Sequence, residues 1–126
     1  MYVANGNDDS VAVIPLRGGE ARRIPLSPLQ GADRNLRGVQ PVGLALSPDG
    51  HTLFVAEAGL NAVAVVRLHG DGGRVEGHIP TAWWPSAVAV SPVVNKVYVS
   101  NSGSNSVTVI DGVTNKVTAV TVGKAP

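Results

Sequence analysis

Two adjacent tryptophans, Trp83-Trp84, stand out in a chain of 126 residues with an aromatic content of only 4%. Large flat rings provide a stacking or anchoring surface for a sugar, a ring compound or a protein partner. The competing reading is structural, with one ring capping an apolar core and the other covering a neighbouring loop. Packing is the commoner use of large aromatics, so it is the first expectation.

The ionisable groups are sparse. Glu57 closes the apolar run Phe54-Val55-Ala56, a position suited to a free carboxylate on a loop, although a lone glutamate is usually solvated. His51, His69 and His78 fall in different turns and strands, which predicts surface histidines rather than one metal site. Asp49 and Asp111 precede glycine and are expected to hydrogen-bond turn amides. Arg17, Arg22, Arg23, Arg34 and Arg37 bias the first third towards positive charge. Without interleaved aromatics, that bias reads as solvated surface rather than a nucleic-acid face. There is no Gly-x-Ser-x-Gly elbow, no His-Glu-x-x-His and no phosphate-cradling glycine loop. Gly70, Gly72 and Gly73 mark a hairpin tip. No catalytic residue, cofactor or metal site is expected.

Composition narrows the class. Apolar residues make up 44% and charged residues 15%, which excludes a disordered chain, and the size suits one domain. Gly 15 and Pro 9 imply frequent turns. A net charge of +1 gives no electrostatic reason for nucleic acid or an anionic membrane as partner. The absence of cysteine removes disulfides, thiolate nucleophiles and Cys-based zinc sites. No run approaches the roughly 18 apolar residues of a membrane span. The start, MYVANGNDDS, has no export-signal pattern, so the chain as written would stay in the cytoplasm unless its start is missing.

The elements that must position these groups repeat. Tyr2-Val3-Ala4-Asn5, Phe54-Val55-Ala56-Glu57 and Tyr98-Val99-Ser100-Asn101 are each followed at the same spacing by Val11-Ala12-Val13-Ile14, Val63-Ala64-Val65-Val66 and Val107-Thr108-Val109-Ile110. Phe54 and Tyr98 lie 44 residues apart, as do Pro41 and Pro85, which open two further apolar runs. Valine-rich runs between Ser-Pro and Asp-Gly turns predict strands. Each full unit reads as strands A, B, C and D, and both faces of A and C are apolar. A four-stranded meander covered on both sides and repeated every 44 residues predicts an all-β fold, a β-propeller of antiparallel blades. The expected division is strands B, C and D of a first blade over 1–26, a loop insertion over 27–40, a second blade over 41–80 and a third over 81–126. That is an arc of just under three blades, where closed propellers have about 4–8.

Tyr98-Val-Ser-Asn101, Val109-Ile-Asp-Gly112 and Thr114-Asn115-Lys116-Val117 resemble the YVTN family of bacterial β-propeller repeats. Tyr2-Val-Ala-Asn5 fits the same motif, and Phe54-Val-Ala-Glu57 fits it more loosely. The segment 78–92 is also similar to the propeller part of proteins that fuse such repeats to a phosphoesterase domain. The resemblance implies a complete ring, often of seven blades, and a periplasmic, secreted or cell-surface location.

An open arc exposes apolar faces at both ends, which predicts either the missing blades of a parent chain or further copies of this chain as partners. Strand parity places the B–C and D–A loops on one face. That face gathers Trp83, Trp84, Glu57, Arg34, Arg37, Asn5, Asn101, Asp8 and Asp9 as candidate binding residues, with Asn5 and Asn101 expected to bond turn amides. The expected function is a non-catalytic scaffold for a protein or carbohydrate ligand on this loop face. The alternative is part of a lactonase-like or quinoprotein-like propeller enzyme, or an accessory domain to a phosphoesterase.

Overall fold

The computed structural model describes residues 1–5, 9–16, 18–26, 39–70, 72–93, 96–111 and 117–121. Among the described residues, eleven strands form three antiparallel sheets. The first sheet holds β1 (Tyr2–Asn5), β2 (Ser10–Val13) and β3 (Arg22–Pro25). The second holds β4 (Pro41–Leu46), β5 (Thr52–Glu57), β6 (Ala62–His69) and β7 (Gly72–Pro80). The third holds β8 (Pro85–Val90), β9 (Lys96–Asn101), β10 (Ser106–Asp111) and β11 (Val117–Thr121). Every pairing joins strands consecutive in sequence, so each sheet is a meander. Short valine-rich strands separated by tight turns leave no other cheap connection.

Strand alternation explains why the middle sheet is apolar on both sides. Successive side chains of a strand point to opposite faces. Leu53 and Val55 of β5 and Ala64 and Val66 of β6 therefore face the first sheet, where they join Val11, Val13, Ile24, Leu26 and Val39 in one core. Phe54 and Val63 face the other way and pack with Val97, Val99 and Ile110 of the third sheet. The repeated aromatic follows the same rule, since Tyr2 packs into the first core and Phe54 into the second. Tyr98 lies on the outer face of the third sheet and is partly exposed.

The sheets stack through β1 against β4, β4 and β5 against β8, and β3 against β7. At Gly43 a Cβ would lie 3.3 Å from the Ala87 Cα, so glycine is what lets β4 and β8 approach this closely. Both of these strands begin with a buried proline and a bulge, between Pro41 and Gly43 and between Pro85 and Ala87. The bulge turns the incoming loop into strand direction at the same place in each unit.

Candidate functional site

The loops between β5 and β6, between β7 and β8, and between β9 and β10 are laced together on one face of the arc. The chain leaves β5 through a 3₁₀ turn, Ala58–Leu60, and reverses at Asn61, whose φ is 51°. The Asn61 Oδ1 accepts the Trp84 backbone N–H at 2.8 Å, and its carbonyl accepts the Thr81 N–H at 2.8 Å. From the other side, Ser102 N–H donates to the Trp84 carbonyl at 3.0 Å and Gly103 N–H to the Trp83 carbonyl at 3.1 Å. The Ser102 hydroxyl adds a bond to the Trp84 carbonyl, and Ser104 Oγ accepts the Trp83 N–H at 3.3 Å. Gly103 packs tightly here, because a Cβ would sit 3.1 Å from both the Trp83 carbonyl oxygen and the Trp84 Cβ, and its neighbours would have to give by a few tenths of an ångström. The tryptophan backbone is therefore held from both neighbouring loops, and Trp84 is kept at φ 57°, a left-handed conformation that bulky residues rarely adopt.

The same clamp occurs one blade earlier with different side chains. Gln40 has φ 46°, and its N–H donates to Asp9 Oδ1 at 3.2 Å. The Asp9 carbonyl accepts from Leu26 N–H at 3.0 Å. Ala58 N–H donates to the Gln40 carbonyl and Gly59 N–H to the Val39 carbonyl, each at 3.1 Å. Val39 and Gln40 thus occupy the places of Trp83 and Trp84, and Asp9 that of Asn61, with Asp9 and Asn105 sharing its left-handed φ at 55° and 50°. Val39 and Trp83, like Gln40 and Trp84, lie 44 residues apart, so residues 39–40 keep the spacing of the repeat although the sequence places them in the insertion. Val39 is 3% exposed and part of the core, whereas Trp83 is 70% exposed and Trp84 49%. This corrects one half of the packing expectation, because neither indole belongs to a core, while the loop at Gly103 does lie against both tryptophans.

Beneath each clamp lies a buried polar residue at the end of the second strand of the blade. In the third sheet, Asn101 donates through Nδ2 to Thr108 Oγ1 at 2.8 Å and to Ser106 Oγ at 3.3 Å. It therefore bonds neighbouring hydroxyls rather than the turn amides expected of it. In the second sheet Ala64 stands where Thr108 stands in the third. The longer Glu57 side chain reaches across it to His78, with Oε1 and Nδ1 2.7 Å apart. Glu57 is 0% exposed, which corrects the expectation of a free carboxylate on the loop face. Burial, with a smaller contribution from the Asp9 charge, pushes its carboxyl up to about 8. Burial also holds the His78 imidazole below its ordinary range. Both directions favour the uncharged forms, and the Oε1–Nδ1 hydrogen bond takes its direction from the tautomer of the imidazole. Among the described residues, Glu57 Oε2, His78 Nε2 and Asn101 Oδ1 are buried without a partner.

The remaining candidates separate. Asn5 ends β1 opposite Ser10. Arg34, Arg37 and Asp8 lie outside the described residues. His51 sits in the β4–β5 turn and His69 at the end of β6, apart from His78. Asp49 accepts from the Ser47 hydroxyl at 2.6 Å and from His51 N–H at 2.9 Å, and these bonds hold its carboxyl below the usual range. Among the described residues, no three acidic or histidine side chains gather as a metal-ligand set. Among them, too, no helix is long and apolar enough to cross a membrane. The sequence reading missed His78 as the partner of Glu57. The signal was the small Ala64 between them, one strand from each.

Stacked antiparallel meanders, repeated loop clamps and an apolar core between successive sheets define an arc of a β-propeller. Comparison with known proteins agrees on the fold. No family model matches the chain. Hydrazine synthase subunit beta of Kuenenia stuttgartiensis is 30% identical over 125 aligned residues, taking in 81% of this chain and 31% of that protein. The solved structure of Kuenenia stuttgartiensis hydrazine synthase superposes with a TM-score of 0.81 at 25% identity, covering 97% of this chain and 32% of that one. The periplasmic gluconolactonase of Pseudomonas aeruginosa superposes with a TM-score of 0.75 at 25% identity, covering 97% and 36%. The chain spans about a third of the length of these relatives.

Proposed function

We propose that this chain is a YVTN-type propeller segment that acts as a non-catalytic interaction scaffold, binding its ligand on the loop face through Trp83 and Trp84. The observation that carries the reading is the contrast between the two clamps. Val39 and Gln40 make the same backbone arrangement, so folding does not require tryptophan at either position. Two exposed indoles held on a bonded backbone are a costly surface unless something covers them. The outer faces of the first and third sheets, with Val3 and Tyr98 partly exposed, suit further blades of a parent chain or copies of this one. A periplasmic or secreted setting is supported by the likeness to the periplasmic gluconolactonase.

Trp83 and Trp84 are the only tryptophans in the chain, so intrinsic fluorescence reads this face alone. Titration with a panel of peptides, oligosaccharides and small aromatic compounds should reveal a ligand that shifts the emission. Calorimetry should then find that ligand unbound by the Trp83→Val/Trp84→Gln protein. A panel that leaves the emission unmoved, or a ligand held equally well by the variant, would count against the proposal.

A second reading makes the arc part of a propeller enzyme completed by further blades or a fused domain. Its support is the likeness to a hydrazine synthase subunit and to a gluconolactonase. Lactone hydrolysis by the longer parent protein, lost on changing Glu57 or His78 with the fold retained, would favour it over the scaffold.

A further inference from the structure

We propose that Trp83 and Trp84 form a platform for neutral saccharides, which are hydroxyl-rich chains without ionised groups. The inference rests on the reading of the loop face as an interaction surface and names its ligand class. Its first support is the absence of charge. The three loop segments that build the clamp, residues 58–61, 81–85 and 101–105, contain no acidic or basic residue. The preceding clamp has Asp9 where this one has Asn61, and Glu57 beneath it where this one has Asn101. Both carboxyl positions have become amides at the clamp that carries the indoles.

The second support is the rim. Ser102, Ser104 and Asn105 are exposed beside the tryptophan backbone; the Ser102 hydroxyl, its proton given to the Trp84 carbonyl, still accepts, and the Asn105 amide both donates and accepts. A sugar ring presents C–H groups on its faces and hydroxyls at its edge. The C–H face suits an indole and the edge suits this rim. An ionised ligand meets no counter-charge here, and the apolar area, two indoles and the partly exposed Leu60, is small for the dry core of a protein interface.

The third support is preorganisation. Hydrogen bonds from both flanking loops fix the backbone of the two tryptophans before any ligand arrives. A weak stacking contact then loses less to ordering.

The test is electrophoresis of the full chain through native gels containing hydroxyethyl cellulose, glucomannan or dextran, with alginate as the anionic comparison. At least one neutral polymer should retard the protein, independently of salt. The Trp83→Val/Trp84→Gln variant should bind that polymer at least about tenfold more weakly. It should migrate normally without polymer and keep the wild-type circular dichroism. Retardation by none of the neutral polymers, retardation by alginate alone that salt abolishes, or equal retardation of the variant would each overturn the saccharide assignment. In any of those cases a peptide or aromatic compound that shifts tryptophan emission leaves the interaction-surface reading standing, so the two fail separately.

Discussion

The clamp above Glu57 and the clamp above Asn101 share a backbone and differ in almost every side chain around it. One joins the first and second sheets and combines Asp9, Gln40, a buried valine and the Glu57–His78 pair. The other joins the second and third sheets and combines Asn61, two exposed tryptophans and the Asn101–Thr108 pair. What the two have in common is the folding requirement: a left-handed Asx residue, its side-chain bond to a left-handed partner, and two loop amides on the carbonyls of the partner and of the residue before it. What differs is free to serve another purpose. The earlier clamp uses that freedom for a titratable pair inside the molecule, and the later one for aromatic surface outside it.

The contrast breaks most severely at the buried residues. Glu57→Ala should cost about 3 kcal/mol, since it leaves a void and strands the His78 ring without its partner. Asn101→Ala removes a smaller side chain that bonds hydroxyls and should cost about 1–2 kcal/mol. Urea midpoints of the two variants measure the difference, and equal losses would mean that the Glu57–His78 pair adds nothing special.

A pH series sharpens the same point. The Glu57 carboxyl lies near 8 in the folded chain against 4.5 when solvated, so its stabilising contribution is complete below pH 4.5 and is lost as the pH rises through 8. His78 acts in the opposite sense. Its imidazole is held below 6.5, so its contribution is present above that value and lost as the pH falls beneath it. Glu57→Gln keeps a neutral amide facing His78 and removes the carboxyl titration. Its urea midpoint should therefore gain on the wild type from pH 5 to about pH 8 and level off above, with Asp9 the only other acid acting on the site among the described residues. A constant offset across that range would show that Glu57 is not held in its acid form.

The smallest effect falls on the tryptophans. Trp83→Val/Trp84→Gln copies the side chains of the earlier clamp onto the later backbone and should change stability by less than about 0.5 kcal/mol. A larger loss in thermal or urea unfolding would return the indoles to a structural role.

The strands were legible in the sequence because valine-rich runs and 44-residue spacing speak to local geometry, and each unit repeats them. Pro41 and Pro85 marked strand starts for the same reason. The loop face was legible only as an address. Parity placed Glu57 and Asn101 near it, but parity does not say whether a strand end is covered. Glu57 is fully buried, and its partner His78 lies two strands away, a relation set by register across β5, β6 and β7. Trp83 misled in the other direction. Its size suggests a core, yet the position it fills is defined by carbonyl bonds that ignore the side chain. The correspondence of Val39-Gln40 with Trp83-Trp84 was hidden because the expected insertion over 27–40 takes in the first pair.

The clamp also has an engineering consequence. Its bonds at the second position involve only main-chain groups of the held residue, so the side chain there is a replaceable part. Gln40 and Trp84 are two natural fillings of one socket. A library varied at positions 40 and 84 would sample pairs of display sites on a fixed spacing, with the surrounding Asx residues and Gly103 left untouched. The repeat is in this sense a mounting rail, and the tryptophan pair is one fitting that it carries.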